Sequence, residues 1–249
     1  MRNLKFIVTV SLMVVVVAAC GGSDDTAASS TTTATTEEPT TATTEEPTTA
    51  TIEEPTTTTE PMTLEQPAIW PAADVVFTTP VAAASDFVSE VLGVPPALGE
   101  FQQGDSRSGE IEVLLLPEGG GGAETVRSVL LLRQLGPSNG WFVLAAINGA
   151  NTITTPVSMA EVAAGPVEVA GAGRGFEATV IVEAFVAGRS ELYEQQITQG
   201  GPFETAEPYS VTFDFSGLDS GTTMMLLVRG GVGLETDPGE FSAIPVVID

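Results

Sequence analysis

The sequence predicts a small α+β unit followed by an all-β sandwich, both behind an N-terminal stalk without regular structure. Three observations lead there. One amphipathic segment with helix start and stop signals precedes three apolar runs. Seven further short runs, parted by Gly, Pro and Asp, follow with no helical period. Residues 21–67 are almost wholly Thr, Glu, Pro, Ala and Ser.

The N-terminus reads as an export signal over residues 1–19. Arg2 and Lys5 form a short positive region, and residues 6–19 are apolar except for Thr9 and Ser11. That run falls short of the ~20 residues a membrane-spanning helix needs, and it has the small-residue ending of a secretory signal peptide. The ending Val17-Ala18-Ala19-Cys20 with Gly21-Gly22 resembles the bacterial lipobox, with Val17 where Leu is usual. The resemblance implies that the Cys20 thiol carries a diacylglycerol. It implies a protein held on the outer side of the cell membrane, because two acyl chains suffice for stable anchoring.

Residues 20–67 then form the expected stalk. The octad Thr-Thr-Ala-Thr-Thr-Glu-Glu-Pro fills 32–39 and 40–47, and it recurs at 48–55 with Ile52 replacing Thr. A repeat with almost no apolar residue cannot recover its ordering entropy by burial, so a disordered, extended, acidic spacer is expected. The Thr content also permits O-glycosylation.

The first folded unit is expected over 68–148. Thr79 can cap a helix, Pro80 suits its first turn, and Gly93 ends it before Pro95-Pro96. Val81, Ala84, Val88, Val91 and Leu92 are expected to share its apolar face. Strands are expected at 110–116, 125–135 and 141–147. They are joined by glycine turns at 119–122 and 136–140, which predicts an antiparallel meander under one helix.

The second unit is expected over 151–249, with strands at 152–155, 167–170, 176–186, 191–198, 209–215, 222–229 and 242–248. Val211, Phe213 and Phe215 alternate with Thr212 and Asp214, and Phe176, Ala178, Val180, Val182 and Ala184 read as one face. Seven short strands in about 100 residues suit an immunoglobulin-like sandwich. A single cysteine leaves its core to hydrophobic packing alone.

Several stretches carry a family resemblance. They are Ile153-Thr154-Thr155-Pro156, the run from Gly165 to Gly171, Gly173-Arg174-Gly175-Phe176-Glu177, Gly200-Gly201, Pro208-Tyr209 and the closing run from Glu240 to Val246. Together they resemble the immunoglobulin-like domain of bacterial spore germination. The resemblance implies an extracytoplasmic β-sandwich joined to other envelope or germination modules, and it transfers no catalytic residue.

Composition narrows the chemistry. Asp+Glu total 33 against Lys+Arg 8, a net charge of −25, with no histidine and one cysteine. There is no Ser-His-Asp triad, no Cys-His pair and no imidazole or multi-thiolate metal site. Such charge repels phosphate backbones, so nucleic acid is not an expected partner. No cofactor is called for.

Carboxylate pairs remain, from among Glu100, Asp105, Glu110, Glu235, Asp237 and Glu240. The loop 230–240 has oxygen ligands for Ca²⁺, but Asp237-Pro238-Gly239-Glu240 reads more directly as a β-turn. Arg174 and Arg229, near Glu177 and Glu235 in sequence, are candidates for anion recognition or for pairing with loop carboxylates. The loop 104–109, with Asp105 and Arg107, is a candidate recognition loop. Trp70, Trp141 and Tyr209 offer either a sugar-stacking platform or core packing.

The expectation is a non-enzymatic envelope lipoprotein whose sandwich meets a protein or wall-polymer partner, with Arg174, Phe176, Glu177, Arg229, Asp105 and Arg107 as interaction candidates. The alternative is a small hydrolase or solute-binding protein with a carboxylate cleft between the units.

Overall fold

The computed structural model describes residues 64–117 and 123–249. The expected signal peptide, Cys20, the stalk up to residue 63 and the glycine turn at 119–122 lie outside the described residues. The described chain has one α-helix and strands that pair antiparallel, except for the parallel pairing of residues 161–162 with 247–248. The helix α1 spans Pro80–Glu90, and the strands are β1 Gln102–Asp105, β2 Ser108–Leu115, β3 Thr125–Leu135, β4 Gly140–Ile147, β5 Thr152–Thr155, β6 Glu161–Val162, β7 Pro166–Gly173, β8 Thr179–Val186, β9 Leu192–Gln199, β10 Glu207–Asp214, β11 Thr223–Gly230 and β12 Phe241–Ile248.

The helix begins as its sequence dictates. Thr79 is extended and its hydroxyl accepts from Ala82 N–H at 3.2 Å, Pro80 occupies the first turn, and Gly93 takes φ +70° after the end. Its buried face is Ala83, Ala84, Phe87 and Val88, whereas Val81 is 46% exposed. Of the expected stripe, Ala84, Val88 and Leu92 are buried and Val91 packs on the same core; Val81 faces outward, and Phe87 supplies the bulk that meets the sheet.

The helix lies on the antiparallel meander β2-β3-β4. The segment expected as a polar loop, 104–109, is instead the tip of a hairpin that adds β1 to this sheet, with Asp105 opposite Ser108.

The sandwich closes as seven strands predict. A three-stranded sheet β10-β7-β5 faces β12-β11-β8-β9. Between them lie Val167, Val169, Tyr209, Phe213 and Phe215 from one layer and Val180, Val182, Ala184, Met224, Leu226, Val228, Val246 and Ile248 from the other. The expected face of 176–184 holds for Val180, Val182 and Ala184. It fails for Phe176, because Phe176–Ala178 is a 3-10 turn with Glu177 and Ala178 at positive φ.

The boundary expected near residue 150 is crossed by hydrogen bonds. β4 pairs with β12 through Ala146 and Ala243, so the meander and the larger sandwich sheet form one nine-stranded sheet in the order β1-β2-β3-β4-β12-β11-β8-β9, with β6 added beside β12. Pro245 has no N–H to donate and lies between these two neighbours of β12; its carbonyl accepts from Met159 N–H at 2.7 Å.

The strands between the layers are buried on both faces. β11 reads Met224-Met225-Leu226-Leu227-Val228 without alternation, and all five are 0% exposed. Met224, Leu226 and Val228 enter the sandwich core. Met225 and Leu227 join Phe185, Phe241 and Ala243 in a second core with Phe87, Ile69 and Trp70.

A strap at residues 68–72 contributes to that second core. Ile69 and Trp70 donate backbone N–H groups to Val143 O, and Gly188 N–H donates to Ile69 O at 2.9 Å. Gly188, at φ +74°, has no room for a side chain: a Cβ there would lie 2.3 Å from the Cα of Ala72.

Tyr209 carries a pH prediction. Its hydroxyl donates to Thr152 O at 3.0 Å, and burial pushes its phenol above the ordinary range. A raised folded-state pKa contributes stability that is complete below the unfolded value of about 10 and is lost as pH climbs above it. Tyr209→Phe is therefore expected to cost about 1 kcal/mol at pH 7 through the lost hydrogen bond. It is also expected to flatten the decline of thermal stability above pH 10. An equal alkaline decline in both proteins would contradict the assignment.

Candidate functional site

The loops at one end of the sandwich hold most of the residues singled out from the sequence. They follow β7 (174–178), β9 (200–205) and β11 (231–240). Backbone groups bind them side by side: Gly175 N–H donates to Gly201 O at 3.1 Å, Phe176 N–H to Gly231 O at 2.9 Å and Gly231 N–H to Thr179 O at 2.9 Å. The glycines of the Gly-Arg-Gly-Phe-Glu stretch make this approach possible. A Cβ on Gly175 would sit 2.2 Å from Thr179 O and 2.5 Å from Gly231 N.

Within this frame Glu177 and Ala178 both take the left-handed region, at φ 52° and 57°, which costs ~1–2 kcal/mol for each residue with a Cβ. The turn sets Phe176 at the surface, 48% exposed, with its ring centroid 6.4 Å from that of Phe203. Phe203 escaped the sequence reading. Its signal was available as one aromatic residue in an otherwise polar, turn-forming stretch, Gly200 to Pro208.

Arg174 is engaged within the protein. Its Nε and Nη2 donate to the two oxygens of Glu240 at 2.8 and 2.7 Å, and this carboxylate raises the guanidinium's already high pKa. The backbone N–H of Arg174 donates to Asn151 Oδ1 at 2.9 Å, and Asn151 Nδ2 donates to Glu240 O at 3.0 Å. Asn151 is fully buried, and its own carbonyl accepts from Ser242 Oγ. This polar knot fastens the β4–β5 connection to the starts of the loop after β7 and of β12. Sequence proximity had suggested Glu177 as the neighbour of Arg174. Glu177 is instead exposed, with no ion pair among the described residues.

Arg229 likewise pairs with a residue distant in sequence, Glu183 rather than Glu235. Its Nη2 donates to Glu183 Oε1 at 3.0 Å and its Nε lies 2.9 Å from Oε2, while Gln195 Nε2 donates to Glu183 Oε1 at 2.8 Å. The pair occupies the sheet face that carries Met225 and Leu227, away from the sandwich core.

Asp105 and Arg107 lie on the β1–β2 hairpin and are not brought to Arg174. Arg107 N–H donates to Asp105 Oδ1 at 2.7 Å, and this bond holds the Asp105 carboxyl below the usual range. Arg107 Nη2 donates to Gln134 O at 2.8 Å. The two residues close a turn and pin it to β3.

The three aromatic candidates are interior, Trp70 and Trp141 in the helix-side core and Tyr209 in the sandwich core. Trp70 Nε1 donates to Asp86 Oδ2 at 2.9 Å, Trp141 meets Phe101 edge-on at 5.3 Å, and Tyr209 lies in the sandwich core. They pack the cores and form no shared platform.

The loop 230–240 holds its turn through its own groups. Asp237 Oδ1 accepts from Gly239 N–H at 2.9 Å, Gly239 is at φ +75°, and Asp237 also pairs with Arg127. Among the described residues no cluster of three or more Asp, Glu or Cys stands close enough to hold a metal ion. A groove of ≈ 500 Å³ runs between the strap 64–73 and the residues Val186, Ala187 and Gly221 to Thr223; its one carboxylate is Glu65.

Residues 152–229 match the family model of the immunoglobulin-like domain of bacterial spore germination. The match spans β5 to β11 and includes Arg174, Phe176, Glu177, Phe203 and Arg229, but it ends before Glu240 and β12. No curated protein and no solved structure matches the chain. The C-terminal part of the chain thus carries this immunoglobulin-like domain, whose family is associated with spore germination.

Proposed function

We propose that the protein is a non-enzymatic envelope lipoprotein, anchored by a diacylglycerol on Cys20, whose immunoglobulin-like module contacts an envelope protein or wall polymer through the loop end around Phe176 and Phe203. The observation that carries this reading is the exposed pair of phenylalanines on a backbone locked from three sides. Large exposed aromatic side chains on rigid loops are the common anchors of interfaces. The acidic, Thr-rich segment from 21 to 67 then acts as a spacer between bilayer and module. The matched family supports a germination-associated setting.

The test uses the full-length chain in its own envelope, with a photoreactive phenylalanine analogue at position 203. One discrete crosslinked species is expected from that position and none from position 124, an exposed residue directly before β3. Labelled palmitate is expected to enter the wild type and not Cys20→Ser, which should lose both membrane retention and the adduct. A Cys20→Ser protein that stays in the membrane, or crosslinking no different between the two positions, would overturn the proposal.

A further inference from the structure

The loop end combines an apolar surface with an acidic border. Phe176, Phe203, Val232 and Leu234 are 48, 51, 36 and 42% exposed, and they stand on the three loops that backbone hydrogen bonds hold together. Each loop also contributes one exposed carboxylate: Glu177, Glu204 and Glu235. None of these three has a hydrogen bond or ion pair among the described residues. The sole basic residue in these loop segments, Arg174, gives its Nε and Nη2 to Glu240, and Glu204 also feels its charge. Three exposed carboxylates against one arginine already paired with Glu240 leave the border net negative.

We infer that this end of the sandwich docks a cationic segment of a partner protein, one that alternates basic and apolar side chains. This rests on the reading of the loop end as the contact surface. Apolar side chains and the stems of lysines or arginines cover the phenylalanines, and their charged heads reach Glu177, Glu204 and Glu235. The ring faces of Phe176 and Phe203 also attract a cation placed over them. An anionic bilayer meets three carboxylates and is repelled. A second copy of the chain brings the same three carboxylates and a net charge of −25.

The test measures binding of a fluorescent peptide of alternating lysine and leucine to the full-length chain in phosphatidylcholine nanodiscs at ~0.15 M salt, where screening confines charge effects to about 8 Å. Glu177→Lys with Glu204→Lys is expected to weaken binding about tenfold or more. Glu90→Lys with Glu161→Lys, an identical change in net charge elsewhere, is expected to weaken it by about twofold or less. Phe176→Ser with Phe203→Ser is expected to weaken it about tenfold while the thermal melt stays that of the wild type.

Equal weakening by both charge pairs would overturn the inference, as would tighter binding to phosphatidylglycerol vesicles than to the peptide. A dimer that Phe176→Ser disrupts would overturn it too. A discrete envelope adduct at position 203, together with peptide binding indifferent to Glu177 and Glu204, would remove the cationic partner and leave the contact surface standing.

Discussion

Phe87→Ala is expected to lower the unfolding free energy by about 3–5 kcal/mol, the range for deleting a fully buried aromatic ring. Phe87 is 0% exposed; it meets Trp70 edge-on at 6.5 Å and lies 6.5 Å from Phe241 of β12. The cavity would therefore open among the helix, the strap and the outer face of the sandwich sheet. The signature is cooperative. Tryptophan fluorescence reports the helix side through Trp70 and Trp141, and hydrogen exchange at β7 and β10 reports the far layer of the sandwich. Both should shift together, because β11 and β12 are shared between the two cores. A shift in fluorescence with unchanged protection of β7 and β10 would mean that the two cores unfold independently.

The second large effect concerns Glu183. This carboxylate is 5% exposed and is satisfied by Arg229 and Gln195. Glu183→Ala strands the Arg229 guanidinium, whose side chain is only 24% exposed, and is expected to cost about 3 kcal/mol. Replacing both partners by apolar residues of similar volume, Glu183→Leu with Arg229→Met, removes the uncompensated charge and is expected to recover most of that loss. A double variant no more stable than Glu183→Ala would show that the pair contributes through geometry that apolar packing cannot replace. Chemical denaturation of the wild type and these two variants measures both quantities.

Much of the fold was legible because local signals agree with it. Thr79-Pro80 and Gly93 bound the helix as capping chemistry requires, and all seven strands of the sandwich sit between the turn residues that predicted them. The alternation of Val211, Phe213 and Phe215 gave the inner face of β10 and its continuation. Local patterns carry no signal where the deciding contacts are long-range. Arg174 finds Glu240 and Arg229 finds Glu183, 66 and 46 residues away, whereas spacing offered Glu177 and Glu235.

Phe176 looked like a strand residue because apolar alternation runs straight through it. The close approach of Gly175 to Gly231 forces a turn instead, and no local pattern encodes that. The unbroken apolar run Met224 to Val228 was the readable sign that β11 is covered on both sides, and hence that the helix layer belongs to the sandwich sheet.

That shared cover is tested most directly by expressing residues 151–249 alone beside residues 64–249. Without the strap and helix, Phe185, Met225, Leu227, Phe241 and Ala243 would face water as one apolar patch. The shorter chain is expected to aggregate, or to melt far below the longer one. A soluble, monomeric 151–249 with the melting temperature of 64–249 would contradict it.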